Sequence, residues 1–260
     1  MEEKPILIRK EKNLAWILLN RPNKLNAMDL EMLDLLESAL EEMKADEEVR
    51  CILLKGTGDR AFSAGADISL LSTFSSKEAK AFSEKGQRVF AKVRELSKPV
   101  IAVVNGYALG GGCELALSCD LRIASEKARF SQSEINLGIV PGWGGTQLLP
   151  RIVGAARARE MILLGRMVEA GEAYNIGLVN RVVAPEKLDE EAVKMAEALA
   201  SGPSKALAAS KHLLNLSLQT PLNEGLKREA EEFSSLFSTE DFREGIAASK
   251  ERRKPVFKGK

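Results

Sequence analysis

One histidine, His212, and three cysteines, Cys51, Cys113 and Cys119, are all that 260 residues offer in the way of soft metal ligands. A single histidine excludes a metal site built from two or more histidines of one chain, and a histidine relay would have to use His212. That residue stands among Leu207, Leu213 and Leu214, which reads as helix packing. The cysteines are odd in number and form no CxxC pair, so no disulfide framework or zinc ribbon is written here, and a reducing cytosol suits them. An excess of one charge is missing too: 38 Lys+Arg face 37 Asp+Glu, a net +1. No general electrostatic footprint for nucleic acid or a membrane surface remains. The longest uncharged stretch, 135–150, is 16 residues and contains Gly138, Pro141, Gly142 and Gly144. A spanning helix needs ~20 apolar residues. The opening MEEKPILIRKEKN lacks the apolar core of a signal peptide. These absences together predict a soluble, cytoplasmic chain without a metal, whose acid/base chemistry falls to carboxylates.

The 45% hydrophobic content is enough for one large domain, or one domain with an appendage. Two β-rich runs, 6–9 and 14–19, flank a break at Glu11-Lys12-Asn13 and predict a hairpin. Asp29 is placed to cap a helix carrying Leu33, Leu36, Leu40 and Met43 on one face. A strand over 49–55, a Gly/Ala/Ser-rich loop to Ala66, a helix over about 77–96 and a strand over 100–104 make a βαβ unit. Gly110-Gly111-Gly112 then leads into a short helix over 113–118 and a strand over 121–124. Beyond Gly145 the pattern is mostly helical, with one strand at 179–183 and three or four helices from Pro185 to Ala248. No internal repeat is visible.

Most acids sit beside lysines or arginines and read as solvated helix faces. Three stand apart in uncharged, glycine-rich surroundings: Asp67, Glu114 and Glu134. Burial raises a carboxyl pKa toward the range useful for proton transfer at neutral pH. Glu114 falls in the first turn of the helix that follows the three glycines, so their amides can face an oxyanion with the helix dipole behind them. Ala64-Gly65-Ala66 offers a second amide if its strand is a neighbour. Plainer readings stand beside these: tight turns for the glycines, dipole complementation for Glu114, an N-cap over 68–71 for Asp67, and a small core residue for Cys113. Gly56-Thr57-Gly58-Asp59-Arg60-Ala61 formally matches the dinucleotide fingerprint, but no long helix follows and no acid ends a strand ~20 residues on. No P-loop, G-x-S-x-G or HExxH motif occurs.

Seven segments in order carry a resemblance: Asn20-Arg21-Pro22-Asn23-Lys24-Leu25-Asn26-Ala27, Phe62-Ser63-Ala64-Gly65-Ala66-Asp67-Ile68, residues 98–116 through Gly110-Gly111-Gly112-Cys113-Glu114, Cys119-Asp120-Leu121-Arg122-Ile123-Ala124, Glu134-Ile135-Asn136-Leu137-Gly138, Pro141-Gly142-Trp143-Gly144-Gly145-Thr146-Gln147 and Phe237-Ser238-Thr239-Glu240-Asp241. From about Ile6 to Lys260 the chain resembles the enoyl-CoA hydratase/isomerase (crotonase) family. The resemblance implies an α/β fold, a crotonase-like spiral of ββα units over residues 1–195, with a helical oligomerisation region over 196–260 that builds trimers or dimers of trimers. It implies an oxyanion hole from the amides of Ala66 and Gly111, and the glutamate pair of short-chain enoyl-CoA hydratases (3-hydroxyacyl-CoA dehydratases) at Glu114 and Glu134.

The same resemblance places the acyl-CoA thioester near Lys24, Leu25, Ala64, Asp67, Ile68 and Ser69, and near Phe257 and Lys258 of the basic tail. Trp143 is expected in the acyl pocket or, equally, as core packing. No cofactor is expected, since coenzyme A is part of the substrate. Ser131-Gln132-Ser133-Glu134 departs from the common pattern, in which glycine and proline often replace the serines. Within the family, double-bond isomerisation is the alternative reaction, and a non-catalytic RNA-binding member is the alternative of another class.

Overall fold

A computed structural model describes residues 4–260, so the first three residues of the MEEKPILIRKEKN segment lie outside it. Strands β1 (Ile6–Glu11) and β2 (Leu14–Leu19) form the expected hairpin. Its turn is shorter than the sequence suggests, because Glu11 still pairs with Leu14 and only Lys12 and Asn13 are left outside the ladder. Helix α1 (Leu30–Ala45) starts where Asp29 accepts a hydrogen bond from the Met32 amide at 3.0 Å, and it buries Leu33, Leu36, Leu40 and Met43.

The main sheet runs β1-β2-β3-β5-β7-β10, with β3 (Cys51–Gly56), β5 (Val100–Val104), β7 (Leu121–Ser125) and β10 (Arg181–Val183) all parallel to β2. A parallel sheet is covered on both faces, and the alternation in β5 shows how. Val100, Ala102 and Val104 join the large core, while Ile101 and Val103 join a second cluster with Trp16 and Leu53. That second face is closed by α7 (Leu188–Ala200) through Leu188, Ala192, Ala196 and Ala200. The boundary read between residues 195 and 196 therefore falls inside a helix that belongs to the body.

A second sheet, β4-β6-β8-β9, was not legible in the sequence. Its strands are β4 (Ala61–Ser63), β6 (Tyr107–Leu109), β8 (Arg129–Ser131) and β9 (Val168–Glu169), two or three residues each, too short to show a period of two. β4 lies inside what reads as a continuous loop to Ala66. Three strands of the main sheet, β3, β5 and β7, are each followed by a short strand of the second and then by helix. β3 and β4 lead to α2 (Ile68–Leu71) and α3 (Ser76–Glu95), β5 and β6 to α4 (Gly111–Ser118), and β7 and β8 to α5 (Gly145–Leu163). The ββα spiral is thus a repeat of backbone path without a repeat of sequence. Beyond α6 (Ala170–Asn175) and α7, the chain ends in α8 (Ser204–Ser217), α9 (Leu222–Leu236) and α10 (Glu240–Glu251).

These last helices are tied to the body by buried polar contacts. Lys211 on α8 donates to Asp120 Oδ2 at 2.8 Å, to the Val93 carbonyl at 3.1 Å and to the Lys98 carbonyl at 3.0 Å. Arg50 donates to the carbonyls of Phe257 and Lys258, and the Asp241 carboxylate accepts the amides of Lys258 and Gly259. His212, expected as a packing residue, is exposed: Lys211 takes the inward position and turns its neighbour out.

Candidate active site

The three parallel short strands end side by side, and the chain leaving each carries one part of the site. Ala66 follows β4, Gly111 and Glu114 follow β6, and Glu134 follows β8. In α/β architectures ligands bind beyond the carboxyl ends of strands, because there several loops converge.

Ala66 sits in a bridge with Met28: the Met28 amide donates to the Gly65 carbonyl at 2.7 Å and the Asp67 amide donates to the Met28 carbonyl at 2.9 Å. In a parallel bridge the flanked residue's own N–H faces away from its partner, so the Ala66 amide is directed to the other side. Gly65 makes this segment touch the start of α4. It holds φ at +90°, and a Cβ there would stand 2.8 Å from the Gly111 nitrogen. The Gly111 amide belongs to the first turn of α4, where N–H groups have no acceptor within the helix. Ala66 and Gly111, which follow separate strands, line one cavity, and the second stands at a helix N-terminus.

Glu114 is 1% exposed on a helix whose eight residues are all buried. Its Oε1 accepts the amides of Trp143 at 2.8 Å and Gly145 at 2.7 Å, the latter at the N-terminus of α5. Burial, reinforced by the charge of Glu134, pushes the Glu114 carboxyl up to about 7 against the pull of the Gly145, Trp143 and Gly144 amides. Burial also raises Glu134, to about 6. Glu134 stands over Gly110, where φ is +49° and a Cβ would meet Glu134 Oε1 at 2.7 Å. Its other oxygen, Oε2, is buried without a partner among the described residues, which leaves it available to a water or a proton. Both carboxylates line one cavity of about 310 Å³ with Ala66, Gly111, Phe82 and Trp143.

The remaining expected residues divide into two groups. Ala64 and Ile68 line that cavity, whereas Lys24, Leu25, Asp67 and Ser69 adjoin them in the chain or by hydrogen bonds without lining it. Asp67 caps α2 through the Ser69 amide at 3.1 Å and accepts Lys24 Nζ and Arg21 at 3.2 Å each. Burial opposes the ionised form, but Lys24, the Ser69 amide and Arg21 together hold Asp67 below the usual carboxylate range. The Ala64 amide donates to the Leu25 carbonyl at 2.9 Å, and exposed Ile68 lines the cavity. Phe257 and Lys258 are not brought there by their own chain. They lie beside α10, with the Phe257 ring in an apolar pocket with Phe233, Phe237 and Phe242. Cys113 is fully buried, as a core residue would be. A larger cavity of about 680 Å³, between the end of α3 and helices α8 and α9, contains neither glutamate.

Two positioning contributions were not foreseen. One is the use of the Trp143 and Gly145 amides to hold Glu114; the glycine-rich run 142–145 was the only hint of it. The other is Arg122, which is buried and donates to the carbonyls of Leu178 at 2.7 Å, Cys119 at 2.7 Å and Ala116 at 3.3 Å. It fixes the C-terminal end of the helix that carries Glu114.

The sequence profile of the enoyl-CoA hydratase/isomerase family matches residues 9–260. The chain belongs to this family. Among curated relatives, a crotonyl-CoA hydratase of Syntrophomonas wolfei is 43% identical, covering 97% of each chain. A short-chain-enoyl-CoA hydratase of Clostridium acetobutylicum is 42% identical over 98% of this chain and 97% of its own. Among solved structures, an enoyl-CoA hydratase from Bacillus anthracis superimposes with a TM-score of 0.95 at 37% identity, covering 98% of this chain and all of that one. The family fold expected from the motifs is therefore the fold found. Among the described residues no helix is long and apolar enough to cross a membrane, and no cluster of three or more His, Cys, Asp or Glu is arranged to hold a metal.

Proposed function

We propose that this enzyme catalyses the reversible syn hydration of short-chain trans-2-enoyl-CoA to 3-hydroxyacyl-CoA. The observation that carries this reading is two buried glutamates with raised pKa on one cavity, which Ala66 and Gly111 also line. The thioester carbonyl accepts the Ala66 and Gly111 amides, which draws electron density from C3; one such donor contributes about 2.7–4 kcal/mol to the transition state. Glu114, held by the Trp143 and Gly145 amides, takes a proton from water as its oxygen bonds to C3. Glu134 gives a proton to C2. No cofactor is required. Lys24 and the Ala66–Ser69 segment face the CoA moiety, and Phe257 and Lys258 do so from a neighbouring subunit of a trimer or a dimer of trimers. Exposed Leu222, Leu226, Phe233 and Phe237 on and beside α9 support such an assembly. Loss of the enoyl ultraviolet absorbance of crotonyl-CoA tests the reaction directly; no loss at micromolar enzyme refutes it.

The pair also predicts a pH profile. Both carboxyls lie above the 4.5 of an ordinary glutamate, near 7 and 6, and their charges interact. A base and an acid coexist only while the pair holds one proton; the two carboxyls share it, and the productive form carries it on Glu134. The expected kcat/KM of the free enzyme is bell-shaped, falling below about 6 as both protonate and above about 7 as both ionise. A single acidic limb near 4.5, with no alkaline limb, contradicts the assignment.

A further inference from the structure

The geometry points to Trp143, seated on Gly86, as the residue that ends the acyl pocket and sets the length of acyl chain the enzyme accepts. This rests on the hydratase reading above and adds the device that selects the substrate.

The indole fills the space between α3 and α4, and each helix meets it with a glycine. At Gly86 a Cβ would stand 2.2 Å from Trp143 Nε1 and 2.3 Å from Cδ1. At Gly111 a Cβ would stand 2.3 Å from Cζ3 and 2.4 Å from Cε3 on the opposite edge. No other residue fits on either side without moving the ring. Gly86 lies in the middle of a 20-residue helix, where glycine is the least favourable residue after proline. Nothing in α3 itself calls for it, whereas the indole does. Phe82 and Phe90 pack edge-on against the ring with centroids at 5.2 and 5.4 Å, and Nε1 donates to the Phe82 carbonyl at 3.3 Å. The ring is thus fixed from four directions and cannot swing aside to admit a longer chain.

Its position relative to the chemistry gives the consequence. The benzo edge presses on Gly111, the residue whose amide faces the thioester oxygen, and the backbone of the same tryptophan holds Glu114. An acyl chain leaving that carbonyl toward the gap between α3 and α4 meets the indole at once. Trimming tryptophan to alanine removes nine heavy atoms from a dry, aromatic-lined gap. A void on the order of 150 Å³ of this kind accepts a small apolar ligand.

The test compares Trp143→Ala with the parent on trans-2-enoyl-CoA of four to ten carbons, together with binding of saturated butyryl-CoA and octanoyl-CoA by calorimetry. One methylene accepted or refused by an apolar pocket changes kcat/KM by about tenfold or more. The parent is expected to bind butyryl-CoA in preference to octanoyl-CoA, and Trp143→Ala to raise the eight-to-four-carbon ratio of both kcat/KM and affinity by at least about tenfold. A purely structural tryptophan would lower activity on all chain lengths and leave that ratio unmoved, which overturns the proposal. A parent that binds octanoyl-CoA as tightly as butyryl-CoA overturns it as well. Because the saturated thioesters need no hydration, the binding arm judges the pocket even if the hydratase reading fails; a protein that binds neither refutes both.

Gly86→Ala supplies the second arm. In the parent it should lower Tm and crotonyl-CoA turnover, since its methyl displaces the ring. In the Trp143→Ala background the same change should be neutral or raise Tm, as alanine is the better helix former. Equal costs in both backgrounds refute the seat.

Discussion

Glu114→Gln is expected to lower kcat for crotonyl-CoA hydration by about 10²–10⁴-fold, and Glu134→Gln by a similar factor, the range lost when a positioned acid or base is removed. Glutamine keeps the volume and retains an oxygen for the Trp143 and Gly145 amides, so the fold is not at stake. Stability should move the other way. Glu114 has a folded pKa near 7 against 4.5 for the ordinary group, so its ionisation opposes folding. That penalty is absent below about 4.5, grows as pH rises, and is complete above about 7, where it reaches roughly 3 kcal/mol. Glu114→Gln should therefore melt higher than the parent at pH 8, with the gap closing toward pH 4. Near-normal turnover in both glutamine variants would sink the mechanism. A Tm difference independent of pH would instead sink the account of Glu114 as a strained, buried acid. A site that is costly to the fold and necessary to the reaction is the usual origin of a stability–activity trade-off.

The second large effect concerns the helical tail. Lys211 is 7% exposed, and its three acceptors lie on the body: Asp120 after α4, Val93 on α3 and Lys98 before β5. Burial raises the Asp120 carboxyl despite the opposing charge and hydrogen bond of Lys211. Removing the cation leaves a half-buried carboxylate supported by the Val100 amide and, from farther off, by the charge of Arg122. Breaking a fully buried pair costs about 3–5 kcal/mol, and the partial exposure of Asp120 puts this one at about 2–3 kcal/mol. Lys211→Met, which keeps the aliphatic length, is expected to lose stability of that order at pH 8. Much of the loss should return in the double variant with Asp120→Asn, because the uncompensated charge is then gone. Denaturant unfolding of the four proteins measures both numbers; if the double variant is no more stable than Lys211→Met, the charge is not the cause.

What could be read in the chain follows from the length of the elements. α1 is long enough to repeat an apolar period and buries the face expected of it, and β5 reads as a continuous apolar run and is buried throughout. The second sheet escaped because two- and three-residue strands carry no period, although they are what brings Ala66, Gly111 and Glu134 together. His212 was misassigned for a related reason: a helix with Leu207, Leu213 and Leu214 reads as apolar all round, and only the partners of Lys211 show which side faces the body. The isolation of Glu114 and Glu134 from any countercharge was visible along the sequence. Their coupling was not, since it depends on two strand ends lying side by side.

The amino-acid sequence by itself limited the candidates for acid/base chemistry to carboxylates, because one histidine and three unpaired cysteines leave little else. It also narrowed them to Asp67, Glu114 and Glu134, since acids without charged neighbours are those a fold can bury. Tertiary structure decided the rest: which amides hold Glu114, which oxygen of Glu134 stays free, and that Gly86, which belongs to no motif and lies far from Trp143 along the chain, makes room for that ring. The physical reason is that proton affinity and pocket shape depend on distances of a few ångströms between segments far apart in the chain. Composition and spacing limit those distances, but only packing sets them.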